Sequence, residues 1–320
     1  MPKVTNLLTN TDLLKVQDST KIKCYMECPR KYFFEYVLHW RSGKPNKHLE
    51  FGIAWHLAKE SLLLGSSVEE SYALFLDHYR KHYAPEMDLD MRPKDPGTAL
   101  IALEEWAQTY KHWLKHITVM YTEVSGQTPL FAGNVLTWKI DAIIEDERGI
   151  WALDHKTASV LSNSWIANWA LDIQMKTYIH ALVSVYGNVV SGAIIDGTIL
   201  QKSGVKQQQV KVMHTDRQMN QWFWNTNRVL AHLENDFVEL SECDVEDEVL
   251  MAFPQNPQSC SKWGLCQYHS YCSAWSNPSA HECPSEFTIN PWNPLARDGE
   301  GQGKVKIEEL QISDDTGDVK

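Results

Sequence analysis

The chain has 320 residues, enough to bury a sizeable core as one large domain or one domain with insertions. Its formal charge of -11 argues against a protein that coats nucleic acid non-specifically, because affinity for the phosphate backbone comes largely from Lys and Arg. That charge still allows an enzyme that reaches phosphates through a metal and a local basic groove, and residues 1–60 do hold ten Lys/Arg against six Asp/Glu.

No apolar run approaches the length of a membrane span, and the N-terminus lacks the basic-then-apolar layout of a signal peptide. A cytosolic location is the default expectation, and there the seven cysteines are expected as metal ligands or buried thiols rather than disulfides.

Residues 1–18 read as a flexible lead-in. Asp18-Ser19-Thr20 offers an N-cap to a helix carrying Cys24, Tyr25, Cys28, Tyr32, Phe33, Tyr36 and Val37, with Pro29 marking a break or the first turn of a second helix. A basic loop over 41–47 precedes a predicted helix over 52–64, which carries His56 one turn after Gly52. Further amphipathic helices are predicted over 67–83 and 99–120, joined by a Pro-rich loop over 85–96. The apolar period then becomes two, predicting strands over 121–124, 131–144 and 150–156. A helix over 165–186 ends at Gly187, with Gln174 and Tyr178 one turn apart on one face. Paired strands are expected over 189–200 and 207–214, then a long helix over 216–240, an acidic stretch, and a loop-rich cysteine-bearing segment over about 253–284. Residues from about 293 onward are acidic, poor in apolar side chains and expected to be disordered.

The stretch from Thr137 to Thr157 carries the chemistry. Its two β-prone runs flank a polar turn, Asp146-Glu147-Arg148-Gly149, read as a hairpin with a loop longer than the tightest kind. Folding there makes paired positions sum to 295, which sets Asp141 across from Asp154. Side chains alternate, so Asp154 and Lys156 share a face and His155 points to the other. Charges converging on a sheet interior are costly unless partnered, and a divalent cation on the carboxylates would remove that cost. A solvated hairpin face is the alternative reading of the same residues.

Asp141, then Asp154-His155-Lys156-Thr157, then Gln174-Met175-Lys176-Thr177-Tyr178 resembles the PD-(D/E)XK nuclease superfamily in its RecB-like branch, which includes CRISPR-associated and recombination exonucleases. Gly52-Ile53-Ala54-Trp55-His56 resembles the branch's helical Gly-x-x-x-His, and Cys28-Pro29-Arg30-Lys31-Tyr32 its Cys-Pro-x-x-Tyr opening. Thr137-Trp138-Lys139 stands where relatives often carry Gly.

The resemblance implies an α/β, restriction-endonuclease-like core with a central mixed sheet flanked by helices. It also implies a single nuclease domain over 19–285, with a helical insertion at about 53–120, a sheet core at about 121–215 and a cysteine-rich closure at about 253–284. His56, Asp141 and Asp154 would ligate Mg²⁺ or Mn²⁺. Lys156 would orient or activate the attacking water or stabilise the phosphate, and Gln174 and Tyr178 would touch the DNA strand. The implied activity is a DNA exonuclease acting on single strands or ends in recombination, repair or phage DNA processing, with a recombination or helicase protein as a conceivable partner. A sequence- or structure-specific endonuclease and a non-catalytic nucleic-acid-binding subunit are the alternatives. Glu123 is a weaker, outer-shell candidate.

Some RecB-like nucleases staple their ends with a [4Fe-4S] cluster, using one cysteine before the core and three after it. Cys28, Cys260, Cys266 and Cys272 fit that layout, although relatives usually carry Cys-x2-Cys-x5-Cys where this chain has Cys-x5-Cys-x5-Cys. Cys24 and Cys283 are possible substitutes, and Zn²⁺ is the competing occupant. Lys21, Lys23, Arg30, Lys31 and Arg41 could track phosphates, or simply form a solvated helix face.

Overall fold

The computed structural model describes residues 14–43, 46–262 and 264–294. The expectations for residues 1–13 and for the tail from residue 295 lie outside the described residues.

The first strand, β1 (Val16–Gln17), leads into α1 (Ser19–Glu27), whose cap Asp18 accepts a 2.6 Å hydrogen bond from the Lys21 amide. The helix stops at extended Cys28 and restarts with Pro29 as the first residue of α2 (Pro29–Tyr32), where a missing N–H costs nothing. A π-helical turn, Phe33–Val37, and β2 (Trp40–Ser42) follow. α3 (Lys47–Leu63) starts earlier than the expected residue 52, because the Asn46 side chain accepts from the His48 amide at 2.9 Å and opens the helix there. α4 (Val68–Tyr79) begins in a reciprocal capping box between Ser67 and Glu70. α5 (Asp88–Met91) and α6 (Pro96–Tyr110) complete the helical stretch.

The helix expected to reach residue 120 ends at Tyr110, and β-branched Thr118 and Val119 open β3 (Thr118–Pro129) instead. The strand expected from residue 131 begins only at β4 (Val135–Asp146), because Phe131–Gly133 turns through Ala132 at φ 57°. β5 (Gly149–Ala158) follows. The predicted helix over 165–186 is two helices, α7 (Asn163–Asn168) and α8 (Ile173–Tyr186). Asp172 separates them, since its carboxylate caps α8 by accepting from the Gln174 amide at 2.7 Å. β6 (Val190–Gln201), β7 (Gly204–Val212), α9 (Asp216–Glu242), α10 (His269–Ala274) and β8 (Phe287–Ile289) complete the order.

The chain divides into two compact units. The described residues of one are 14–43, 128–137 and 216–294 without residue 263, and those of the other are 46–127 and 138–215. In the first, Val16–Gln17 pairs parallel with the opening of β4. Arg30 anchors its short helix by donating to the Phe253 and Leu250 carbonyls at 2.8 and 3.0 Å, and Tyr32 stacks on Phe253 at 5.9 Å. These contacts bring the N-terminal helices against the cysteine-bearing segment.

The second unit is a mixed sheet in the order β4-β5-β6-β7, with β3 beside β4. The two hairpin pairs are antiparallel, and β5 and β6 run parallel. This is the α/β class expected. Its core holds Phe51, Trp55, Phe75, Tyr79, Trp106 and Trp151, all fully buried. Trp138 occupies the space that Gly126 leaves open, since a Cβ there would lie 2.4 Å from its ring. The Thr-Trp-Lys departure before Asp141 is therefore accommodated by a glycine on another strand.

A charged network is sealed inside this core. Lys59 Nζ lies 2.9 Å from Asp196 Oδ2 and 3.1 Å from the centroid of the Trp106 ring, and both charged side chains are wholly buried. Trp106 Nε1 donates to Asp196 at 2.9 Å, and His155 Nδ1 stands 2.8 Å from the same carboxylate. Burial lowers the Lys59 pKa to about 7 against the opposing pull of Asp196. Burial also disfavours the Asp196 carboxylate, but Lys59 and His155 outweigh it and hold its pKa down. Removing one member strands the other as an uncompensated buried charge. Lys59→Met should therefore cost about 3–5 kcal/mol in urea unfolding; a loss below about 1 kcal/mol would show the network to be energetically idle.

Candidate active site

The hairpin closes more tightly than expected, with Asp146 paired to Gly149 across a two-residue turn. Asp146 Oδ1 accepts from the Arg148 amide at 2.9 Å. Gly149 is required: its φ is +124°, and a Cβ there would stand 2.2 Å from the Val189 carbonyl oxygen. The register runs from Asp146↔Gly149 to Ala142↔Leu153, the expected one, and its continuation places Asp141 and Asp154 level. Asp141 Oδ2 accepts the His155 amide at 2.7 Å, so the first carboxylate is braced by the backbone beside the second.

On this face Asp154 is nearly fully buried, and its Oδ2 lies 2.7 Å from Lys156 Nζ. The Tyr178 hydroxyl donates to Asp154 Oδ1 over a long 3.4 Å, and Gln174 Nε2 donates to the Tyr178 oxygen at 2.7 Å. Helical spacing on α8 makes that last contact possible. From α3, His56 Nδ1 reaches Asp141 Oδ1 at 3.2 Å. All six of the residues expected from the hairpin, α3 and α8 thus meet through direct contacts: His56 with Asp141, and Asp154 with Lys156 and Tyr178, which Gln174 holds. His155 points away to Asp196, as strand alternation requires.

Glu123 is closer to the centre than its sequence suggested. It offers an oxygen within 4.8 Å of ligand atoms of both His56 and Asp141, and it is ion-paired with Lys139. Its backbone has φ +51°, a conformation that non-glycine residues seldom take and that costs about 1–3 kcal/mol. Glu60 was missed altogether. It lies one turn after His56 on α3, accepts from Thr122 Oγ1 at 2.6 Å, and has its pKa raised by burial and then by Glu123 and Asp141. Its i, i+4 spacing from His56 was the available signal. Asp196, the partner of His155, had no comparable signal, since its role depends on a parallel pairing distant in sequence.

The electrostatics of the two acids differ. Burial disfavours charge on Asp141, but His56 outweighs it through charge and a hydrogen bond, and the pKa is held low. Burial likewise disfavours protonated His56, yet Asp141 prevails and raises its pKa. Burial dominates at Asp154, where Lys156 does not fully compensate and Asp141 adds repulsion, so its pKa is raised. Lys156 is pushed up, since the two aspartates overcome its burial. Asp154 Oδ2 is a buried oxygen with no well-angled hydrogen bond, despite the ammonium beside it. Among the described residues, His56, Glu123 and Asp141 bring their ligand atoms within 4.8 Å of one another, a donor set suited to a divalent cation, and Asp154 lies outside that group.

The first unit assembles the cysteines. The Asn256 amide donates to Cys28 Sγ at 3.4 Å, and Cys260 Sγ donates to the Asn256 carbonyl at 3.9 Å. Neighbouring Gln255 donates to Cys272 Sγ at 3.2 Å, and the Cys266 amide to the Cys260 carbonyl at 2.8 Å. Burial raises the thiol pKa values of Cys266 and Cys272, and the charges of Cys28 and Cys260 raise both further. Cys24 turns instead to Glu35, 3.7 Å away, and Cys283 to the Pro284 carbonyl. Among the described residues, no three of these sulfurs lie within 4.8 Å of one another. Arg30 of the basic cluster is buried among backbone carbonyls, and Lys31 and Arg41 pair with Glu27 and Glu35.

A mixed sheet that presents two buried acids, a lysine and a helix-borne histidine at a hairpin defines a hydrolase-type acidic centre on an α/β core. The family model of the PD-(D/E)XK nuclease superfamily matches residues 19–273, and the chain belongs to that superfamily. Membership supports a hydrolase acting on nucleic acids, with DNA the implied substrate and a divalent metal the typical requirement. No curated protein matches the chain. Among solved structures, a crystal structure of SSO0001 aligns at 10% identity over 69% of this chain and 87% of that one; its TM-score of 0.25 carries no argument. Among the described residues, no helix is long and apolar enough to cross a membrane.

The unequal acids give opposite signs in metal-free protein. A carboxylate with a raised folded pKa binds more protons folded than unfolded, so its ionisation destabilises as pH rises through that window. A depressed one contributes stability above the unfolded pKa and loses it as pH falls through the folded value. In EDTA at pH 7, Asp154→Asn should therefore raise the urea midpoint and Asp141→Asn should lower it. Equal effects of the same sign would refute the asymmetry.

Proposed function

We propose that the chain is a metal-dependent DNA exonuclease of the RecB-like branch, hydrolysing phosphodiester bonds in single strands or at DNA ends during recombination, repair or phage DNA processing. The observation that carries this reading is the convergence of Asp141, Asp154 and Lys156 on one sheet face, with Asp154 buried and ion-paired to Lys156. His56, Asp141 and Asp154 would hold Mg²⁺ or Mn²⁺, as the resemblance implies, and Glu123 shares a ligand cluster with His56 and Asp141. When bound, such an ion supplies an acidified water and shields phosphate charge.

The chain's own groups do the rest. Lys156, kept protonated by the two aspartates, sets a compact positive charge where negative charge grows on the phosphate. Tyr178, whose pKa burial and then Asp154 push far up, stays a neutral donor. Gln174 fixes the direction of its hydroxyl through their 2.7 Å hydrogen bond. His56 steadies Asp141 from the helix side. A recombination or helicase protein remains the partner class that this reading implies.

Asp154→Ala should reduce cleavage of end-labelled DNA in Mg²⁺ or Mn²⁺ by at least about 10³-fold while leaving the fold intact by circular dichroism. Lys156→Ala should cost about 10²–10³-fold. Covalently closed single-stranded circles should survive; their digestion would replace the exonuclease with an endonuclease. Cleavage by Asp154→Ala at the wild-type rate would remove the reading entirely.

We also propose that Cys28, Cys260, Cys266 and Cys272 hold a [4Fe-4S] cluster. Four thiolates on one Zn²⁺, at Zn–S of about 2.3 Å, would stand about 3.8 Å apart. The one-before, three-after layout of these cysteines is what supports the cluster over zinc. Anaerobic purification should give brown protein containing iron and sulfide. Cys28→Ser should lose the colour and Cys24→Ser should keep it; colourless protein carrying zinc would contradict the assignment.

A further inference from the structure

A second group of metal-ligand side chains lies in the helical part of the second unit. Glu50 sits in the first turn of α3, His78 in the last turn of α4, and His82 in the turn that follows. Both imidazole Nε2 atoms aim at one carboxylate oxygen, Glu50 Oε2, at 3.3 Å for His78 and 3.2 Å for His82. The three ligand atoms all lie within 4.8 Å of one another.

These separations are informative. N–H···O hydrogen bonds cluster at about 2.9–3.0 Å. The edge of a tetrahedron built on metal–nitrogen and metal–oxygen bonds of about 2.0–2.1 Å is about 3.3–3.4 Å. The two separations, 3.3 and 3.2 Å, are those of a tetrahedral edge as well as of long hydrogen bonds to one shared oxygen.

A second observation points the same way. The Tyr83 hydroxyl, next to His82 in sequence and within electrostatic reach of Glu50, is buried with no hydrogen-bond partner among the described residues. The cluster thus has a buried donor left unpaired near a carboxylate that two imidazoles face. The scaffold around it is rigid. Phe51, adjacent to Glu50, packs edge-on against Phe75 and Tyr79 at 5.2 and 6.3 Å, which fixes α3 against α4.

We infer that Glu50, His78 and His82 form a binding site for a first-row divalent cation of the zinc type. Two imidazoles and one carboxylate supply three ligands, and the fourth position is open to water. The set is distinct from the acidic centre. Glu50 and His56 share α3 but lie six residues apart, which puts them about 120° apart around the helix axis and about 9 Å apart along it. An ion there would pin the start of α3 to the end of α4 and so steady the helix that carries His56.

The test uses the full chain and Zn²⁺ itself. After stripping and reloading, zinc retained through gel filtration is counted by elemental analysis in wild type, in His78→Asn/His82→Asn and in Asp141→Asn/Asp154→Asn. The wild type should hold one equivalent more than the double histidine variant, and the double aspartate variant should keep that equivalent. Zn²⁺ should also raise the thermal midpoint of wild type by more than that of the histidine variant. If the histidine pair does not fold, His82→Asn alone serves, since that side chain is one-third exposed; its zinc affinity should fall roughly 100-fold. Equal zinc content in folded wild type and folded histidine variant would reduce the group to a hydrogen-bonded cluster and overturn the proposal.

Discussion

Asp141 and Asp154 leave water together, and the cost of that desolvation is met unequally. The first acid has an imidazole, a backbone amide and a nearby ammonium to stabilise its charge. The second has one ammonium, a distant hydroxyl and an oxygen that no well-angled donor reaches. Buried carboxylates at this spacing raise each other's energy unless positive charge is supplied. Around them Lys156 and His56 supply part of that charge, and Glu123 adds a third carboxylate near Asp141.

A second, fully internal charge system ties α3 to the strands behind the acids. His155 lies between Asp154 and Lys156 in sequence, and its side chain passes to the other face to meet Asp196, which also holds Lys59 from α3. The same strand and the same helix therefore serve both networks: β5 carries Asp154 and His155, and α3 carries His56 and Lys59. A shift of α3 along its axis would break the Lys59–Asp196 pair and the His56–Asp141 contact together. Burying a charged pair is weak evidence for stability in itself. Here its use is register, fixing one helix against one strand so that ligands from both meet.

How much of this was legible follows from the range of each interaction. The hairpin register was readable because strand alternation and one obligatory glycine determine it locally. The Gln174–Tyr178 contact was readable from helical spacing, and the helix break at Cys28 from the proline that follows it. Errors came where one residue overrules a pattern. Asp172 stops a continuous amphipathic run by capping a new helix, and Thr118-Val119 turns an expected helix end into a strand. The partners of His155 and the inward turn of Glu123 were hidden, because each depends on tertiary pairing or on a backbone conformation that no residue type announces.

The acidity of the chain as a whole fits this arrangement. With basic side chains such as Arg30, Lys31, Arg41 and Lys59 engaged by carbonyls and carboxylates inside their own units, few cations among these remain to hold phosphate by charge alone. Affinity for a polyanion from such a surface is weak and strongly salt-dependent. Under the proposed reading, recognition would rest on the site itself, where the Lys156 ammonium and a cation held by the acids would together offer positive charge to a phosphate.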